Sequence, residues 1–333
     1  MVPWEYALIP IPSMSRPAHR PPPQDLLESL LREGGLRGRP ESLRPLGVST
    51  SSVWALTVGG RAYVVRLRLD GKPQLARKEL YLSDLLQRYG VPAPVTLAMV
   101  AGEDGVATLS TLLPGIRLDR ATAELSGEER LQVWRAAGEA LRRAHQIPFP
   151  VAGELVSHGV EPFPLSWGAY VLDELPEDVR WLQTALGGAP VDPSLLERVV
   201  TAAGGALREA PVRLLHNDAL PQNALVAPSA DGWRCTGWLD WEFARAGDPL
   251  WDIATLDFRP AGLVPEAFYA GYGATPPEPQ ASVYELLMAI WRTRAELQGH
   301  GSWSWPPRAA RLAYLHDLPA RLARLAGRLG VAG

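Results

Sequence analysis

The sequence contains one cysteine, two lysines and two asparagines among its 333 residues. The single cysteine, Cys235, excludes a disulfide framework and a zinc site built from paired cysteines. No apolar run approaches the ~20 residues of a membrane-spanning helix, and the N-terminus lacks the basic patch and apolar run of a signal peptide. The 33 basic and 36 acidic residues nearly balance, which argues against a nucleic-acid partner held on a basic face. These absences predict a soluble, cytoplasmic protein with no stable membrane insertion.

The first half of the chain alternates between turn signals and strand patterns. Residues 1–23 contain seven prolines, which favours an extended arm rather than a helix. A short helix follows at 24–33, and Gly59-Gly60 between two β-rich runs predicts a hairpin. Periodicity then predicts one long helix at 73–89 among strands at 43–47, 53–58, 62–69, 96–100 and 106–113.

Helical periodicity dominates beyond residue 116. The predicted helices lie at 128–145, 193–208, 281–298 and 308–329, with short strands at 212–215, 224–227 and 233–239. The sequence therefore predicts an α+β fold, with a small antiparallel β lobe and a larger, mainly helical lobe. We expect three parts: an arm with a short helix (1–40), an N-terminal lobe (41–115) and a C-terminal lobe (116–333).

One loop collects side chains that could carry chemistry. It runs from His216 to Asn223, follows an apolar strand, and contains Pro221, which prevents a regular helix. The hairpin that leaves it runs outward for about six residues and returns for about seven, so at ~3.3 Å per residue Asp240 returns beside Asn223. Oxygen ligands on Asn223 and Asp240, with the carboxylate of Asp218 nearby, suit a hard cation such as Mg²⁺. Alternatively, each of these side chains only caps a turn.

A second candidate cluster lies in the first half of the chain. Arg66 is a cation within an apolar strand, and Glu79 shares the apolar face of the following helix. A lone carboxylate on such a face is costly to bury without a partner. We expect Arg66 to be that partner, with Arg68 on the same strand face as a second candidate. His145, on the apolar face at the end of a helix, is interpreted as a structural histidine.

Together these residues resemble the aminoglycoside phosphotransferase and choline kinase-like family, small-molecule kinases with a protein-kinase-like fold. The family's His-x-Asp-x-x-x-x-Asn loop matches His216, Asp218 and Asn223. Its metal motif matches Asp240-Trp241-Glu242, followed by Gly247-Asp248-Pro249 and Asp252. The resemblance extends from about residue 43 to 256, with the motifs in order and at fitting spacing.

The resemblance implies a role for each matched residue. Asp218 would be the catalytic base or would orient the acceptor hydroxyl, while Asn223 and Asp240 would hold Mg²⁺ across the phosphates of ATP or GTP. Arg66 would contact the α- and β-phosphates and be oriented by Glu79. The others would support these groups: Ser49 and Thr50 over the phosphates, the Thr111 carbonyl and Leu113 amide at adenine, and His216, Asp248 and Asp252 beneath the loop.

The chain departs from the family pattern in three places. Arginine replaces the strand lysine, the phosphate loop has only Gly47, and the catalytic loop carries Asn217, Ala219 and Leu220. These changes leave the acceptor open: an aminoglycoside, or choline, homoserine or a sugar. Residues 116–300 hold 25 acidic and 15 basic residues, which favours a cationic acceptor. A catalytically silent nucleotide-binding regulator is the alternative function, and the sequence does not specify the oligomeric state.

Overall fold

The computed structural model describes residues 21–48, 51–68, 73–102, 105–299 and 305–331. It has a small lobe built on an antiparallel sheet and a larger, mainly helical lobe, which confirms the two-lobed α+β fold. The elements of the smaller lobe are α1 (Gln24–Glu33), β1 (Ser42–Val48), β2 (Ser52–Val58), β3 (Arg61–Arg68), α2 (Pro73–Arg88), β4 (Thr96–Gly102) and β5 (Gly105–Thr111).

Five antiparallel strands form the sheet of the smaller lobe, in the order β1-β2-β3-β5-β4. Gly59 and Gly60 turn the chain between β2 and β3 with φ of 56° and 70°, a left-handed pair that glycine adopts without strain. Helix α1 buries Leu26, Leu27 and Leu30 against the sheet, so this short helix completes the core of the lobe. Helix α2 packs between β4 and the larger lobe.

The larger lobe alternates short strands with helices. Its elements are β6 (Ile116–Arg117), α3 (Leu118–Glu124), α4 (Gly127–Ala144), β7 (Gly153–Val156), β8 (Gly159–Pro162), α5 (Trp167–Leu172), α6 (Leu175–Leu186), α7 (Pro193–Ala206), β9 (Arg213–Leu215), β10 (Ala224–Ser229), β11 (Gly232–Trp238), β12 (Arg245–Gly247), α8 (Leu250–Leu256), α9 (Glu266–Tyr272), α10 (Gln280–Leu297), α11 (Arg308–His316) and α12 (Leu318–Arg328).

Two small sheets of the larger lobe flank the loop at 216–223. The strand order is β11-β10-β6 in one and β8-β7-β12-β9 in the other. Strand β9 leads into the loop and β10 leaves it, while β12 follows Asp240 and pairs with β9. The loop at 216–223 therefore runs from β9 to β10, and the segment that begins at Asp240 runs from β11 to β12. Strand β9 pairs with β12, and β10 pairs with β11. A core centred on Trp134, Leu141 and Trp238 packs beneath them.

The predicted helix at 308–329 is wrong in extent, because the chain forms two helices there. Helix α11 ends at His316 and α12 begins at Leu318, with Pro319 in its first turn. Proline is tolerated at that position because the first-turn N–H groups have no partner within the helix. The leucines of α12 are buried against the rest of the lobe. No helix among the described residues is long and apolar enough to cross a membrane.

Candidate active site

The loop at 216–223 is held by the carboxylate of Asp252 on α8. Asp252 accepts hydrogen bonds from the backbone N–H groups of His216 at 2.6 Å and Asn217 at 2.8 Å. Asn217 has φ of 62°, a left-handed conformation that asparagine tolerates better than most residues. Its side-chain oxygen accepts a bond from Trp251 Nε1 at 2.7 Å. These three bonds stabilise a turn that the backbone alone would disfavour.

His216 connects the loop to the strand that leads to Asp240. Its Nδ1 accepts the backbone N–H of Asp218 at 3.3 Å, so the ring proton lies on Nε2, which donates to the carbonyl of Leu239 at 2.7 Å. The side chain is fully buried. Its two bonds therefore fix the spacing between the segment of Asp218 and the segment of Asp240.

Asn223 orients the carboxylate of Asp218. Its Nδ2 donates to Asp218 Oδ2 at 2.8 Å and to the Asp218 carbonyl at 2.9 Å, which turns its own Oδ1 the other way. Its backbone carbonyl accepts the N–H of Leu239 at 2.7 Å, so Asp240 follows directly beside it, as the hairpin length indicates. Burial raises the pKa of Asp218, with Asp240 adding to the shift and the Asn223 bond opposing it.

Asp240 lies at the boundary between the lobes. Its backbone is left-handed, with φ of 61°, and its side chain is 41% exposed. Arg66 Nη2 on β3 donates to Asp240 Oδ1 at 2.5 Å. Burial acts to raise the pKa of this carboxyl, but the charge of Arg66 and its hydrogen bond, together with the smaller effects of His216 and Arg68, hold the pKa below its usual value.

Arg66 and Arg68 make four further charged contacts, two each. Both Arg66 and Arg68 contact Glu79, and the shorter contact is the hydrogen bond from Arg68. Both also contact Glu242, two residues after Asp240, at 3.6 Å from Arg66 and 2.8 Å from Arg68. The expected partner of Glu79 therefore contacts it, but the second candidate does so more closely.

The donor set at Asn223 and Asp240 fits a magnesium ion. The amide oxygen of Asn223 points away from Asp218, and Asp240 offers a carboxylate that is accessible and ionised. Carbonyl and carboxylate oxygens are the ligands that hard divalent cations prefer. Within the described ranges there is no cluster of three or more histidine, cysteine, aspartate or glutamate side chains suited to a metal. A bound Mg²⁺ would thus take two ligands from the chain, as is usual where substrate phosphates supply others.

A model of the phosphotransferase enzyme family matches residues 42–297, which include most of both lobes and every side chain of the site described above. The chain belongs to this family. A search of curated proteins finds no match.

Solved structures with the same fold cover nearly the whole chain at low identity. A putative aminoglycoside phosphotransferase from Ralstonia eutropha has a TM-score of 0.60 and 14% identity, covering 92% of this chain and 98% of its own. A thermostable mutant of aminoglycoside phosphotransferase APH(4)-Ia, with AMP-PNP and hygromycin B, has a TM-score of 0.59 and 18% identity, covering 93% and 100%. Macrolide 2'-phosphotransferase MphH from Brachybacterium faecium has a TM-score of 0.52 and 20% identity, covering 87% and 97%.

The segment between the lobes of this phosphotransferase lies against the hairpin of β10 and β11. Thr111 exchanges bonds with Val95: its N–H donates to the Val95 carbonyl and its Oγ1 accepts the Val95 N–H, both at 2.9 Å. Gly237 on β11 leaves no room for a side chain, because a Cβ there would overlap Leu113 and lie 3.1 Å from Ala93 Cα. Thr111 and Leu113 are thus fixed where the two lobes meet. Ser49 and Thr50 lie outside the described residues.

The remaining expected supports lie behind the loop at 216–223. Asp248 accepts the N–H of Leu250 at 3.0 Å and the hydroxyl of Tyr284 at 2.7 Å, which connects α8 to α10. Asp252, besides its two loop bonds, lies 3.0 Å from His145 Nε2. The other nitrogen of His145 lies 2.7 Å from the Tyr272 hydroxyl, so both of its ring nitrogens have partners, as a structural histidine requires.

Sequence reasoning missed one charged group near Asp218. Arg292 on α10 is 2% exposed, donates to the carbonyl of Trp305 at 2.8 Å, and opposes the rise in the pKa of Asp218. Burial lowers the pKa of Arg292 itself to about 10. The only signal in the sequence is a charged residue directly after the apolar stretch at 286–291, which does not reveal what it faces.

Proposed function

We propose that this phosphotransferase moves the γ-phosphoryl group of ATP or GTP to a hydroxyl group of a small molecule. The observation that carries the proposal is the arrangement of Asp218, Asn223 and Asp240 on two segments joined by His216. In this assignment residues 41–115 bind the nucleotide, and residues 116–333 provide the catalytic groups and the acceptor site.

Asp218 has the position and the surroundings of a base. Asn223 holds its Oδ2, so Oδ1 is the atom that can face an acceptor hydroxyl. As the acceptor oxygen bonds to the γ-phosphorus and the bond to the bridging β–γ oxygen breaks, the hydroxyl proton passes to Asp218. Its raised pKa favours that transfer. Phosphoryl transfer needs little else from the protein besides positioning and neutralisation of charge.

Charge neutralisation is the role of the groups facing Asp218. When bound, Mg²⁺ supplies positive charge against the phosphate oxygens. Asn223 and Asp240 would hold it, with Glu242 directed instead to Arg68. Arg66 is 23% exposed and contacts Asp240, which supports a role in binding nucleotide phosphates beside the proposed metal ligands.

A small-molecule acceptor is favoured over a protein by the segment that follows Asp240. Only nine positions separate Asp240 from Pro249. They form a short 3-10 turn at Trp241–Phe243 and then strand β12, which pairs with β7 and β9. No stretch of this segment is left to form a long loop that docks a peptide.

The acceptor class rests on charge and on the solved neighbours. Residues 116–300 carry ten more acidic than basic residues, which favours an acceptor with amino groups. Neighbours with the same fold include enzymes named for aminoglycosides and for a macrolide. A hydroxyl-bearing, amine-containing natural product is therefore the first class to examine, followed by choline, homoserine and sugars.

The test measures ADP or GDP release with Mg-ATP or Mg-GTP across a panel of these acceptors. Asp218→Asn is the test variant, and Asp231→Asn, on the exposed tip of the β10–β11 hairpin, is the matched control. We expect acceptor-dependent turnover that Asp218→Asn loses by at least about 10³-fold, while Asp231→Asn keeps it. Nucleotide binding without any turnover would favour the silent regulator, and absence of nucleotide binding would refute the proposal.

A further inference from the structure

Strand β3 carries two arginines on one face. Side chains two residues apart in a strand point to the same side, so Arg66 and Arg68 both face helix α2 and the turn after Asp240. Their exposure differs, because the side chain of Arg66 is 23% exposed and that of Arg68 only 4%. A ligand in the cleft can therefore reach Arg66, whereas Arg68 lies behind it.

The two guanidinium groups have different closest partners. Arg68 Nη2 donates a short hydrogen bond to Glu79 Oε1 and lies 2.8 Å from Glu242 Oε2. Arg66 Nη1 lies 3.6 Å from each of those oxygens, and its close contact is the 2.5 Å bond from Nη2 to Asp240. Arg68 thus makes the closer contacts with the two glutamates, and Arg66 makes the closer contact with Asp240.

We propose that Arg68 is a positioning residue that binds Glu79 and Glu242 together and so leaves Arg66 free for the nucleotide phosphates. The statement about phosphates rests on the proposed function, whereas the tie itself rests on the contacts. Arg68 belongs to β3, Glu79 to α2 and Glu242 to the turn after Asp240. One buried guanidinium therefore joins the helix of the smaller lobe to the metal-binding segment of the larger lobe.

The charges explain why the tie matters for Arg66. Glu79 and Glu242 are each 14% exposed, and Arg68 separates their negative charges. Without Arg68 the two carboxylates would face each other with Arg66 as their nearest cation, and they would draw it away from Asp240 and the phosphates. Lysine cannot substitute fully, because its ammonium group is more strongly hydrated than a guanidinium and lies at the end of a flexible stem, so it holds a buried position between two carboxylates less well.

The first experiment measures Mg-ADP affinity by calorimetry in the full-length protein. We expect Arg68→Lys to weaken affinity about tenfold, while Arg61→Lys, at the exposed start of the same strand, leaves it unchanged. In an Arg66→Gln background, Arg68→Lys should change affinity less than about twofold, because its effect acts through Arg66. A purely structural role of Arg68 would instead give the same loss in both backgrounds.

The second experiment measures thermal unfolding without nucleotide. We expect Arg68→Gln to lower the melting temperature by at least about 4 °C, and to do so far less when Glu79→Gln is already present. Arg66→Gln should have the smaller effect and little coupling to Glu79→Gln. If Arg68→Gln does not fold, Arg68→Lys replaces it in the cycle.

Stronger coupling of Glu79 to Arg66 than to Arg68 would overturn the proposal, as would an Arg68→Lys variant with the Mg-ADP affinity of the wild type or an Arg68→Gln variant with its melting temperature. Failure of the wild type to bind Mg-nucleotide would refute the proposed function instead. The melting temperatures would still decide whether Arg68 is the tie between the lobes.

Discussion

Replacement of Asp252 by asparagine removes the carboxylate that holds the loop at 216–223. The carboxylate accepts two backbone N–H groups of the loop, and His145 Nε2 lies 3.0 Å from it. Asparagine offers one accepting oxygen, so at least one buried donor loses its acceptor and faces an NH₂ group. A hydrogen bond to a charged group contributes about 1.5–3 kcal/mol, and an unsatisfied buried donor costs about 1–3 kcal/mol. We therefore expect a loss of about 3–5 kcal/mol in the free energy of unfolding.

Thermal unfolding gives the direct measurement. The entropy of unfolding of a 333-residue chain is about 0.7 kcal/mol per kelvin, which corresponds to about 1.5 °C per kcal/mol, so the melting temperature of Asp252→Asn should fall by roughly 6 °C. The left-handed Asn217 would lose part of its support, so kcat should also fall by about 10²-fold as Asp218 shifts. Asp231→Asn, at an exposed turn, should change neither quantity. A melting temperature within about 2 °C of the wild type would refute the assignment of Asp252 as the loop's support.

Two further outcomes follow from the packing between the lobes. Burial lowers the pKa of Lys78 to about 8 from its usual 10.5, so between these two pH values the unfolded chain binds more protons and the stability of the fold should rise with pH. Thermal melts of the wild type from pH 7.5 to 10.5 should show this rise, and melts of Lys78→Met should not. A rise that persists in Lys78→Met would contradict the prediction. Gly237→Ala should destabilise the protein by about 1–3 kcal/mol, because the new methyl group would overlap Leu113. Gly188→Ala is the control, since the space around Gly188 is open. Equal unfolding midpoints in urea for the two variants would refute the close approach of Leu113 to Gly237.

The placement of Asp240 was predictable from hairpin length alone. Two strands of similar length must return to their starting end, and the Leu239 N–H indeed bonds to the Asn223 carbonyl. The strands and long helices were also predictable, because their hydrophobic periodicity extends over enough residues to be distinguished from chance. Helices α5, α8 and α9 have only six or seven residues, too few to show a helical period.

Distances between side chains on different elements were not predictable. The sequence places Arg66 and Arg68 on one face but cannot say which of them Glu79 meets more closely, because that depends on Asp240 and Glu242 arriving from the other lobe. Arg292 illustrates the same limit, since its influence on Asp218 arises only when α10 packs behind the loop. Pro319, in contrast, is a local signal that marks the start of α12.

The bonds around Asp252 and His216 have a consequence for how the enzyme would move. Asp218, Asn223, Asp252 and His145 all lie in the larger lobe, and their contacts stay within it. An opening of the two lobes would thus stretch the contacts of Arg66 and Arg68 with the larger lobe but leave Asp218 and its neighbours in place. Because the contacts that hold the loop come from the larger lobe itself, closure needs only to bring the smaller lobe onto that surface.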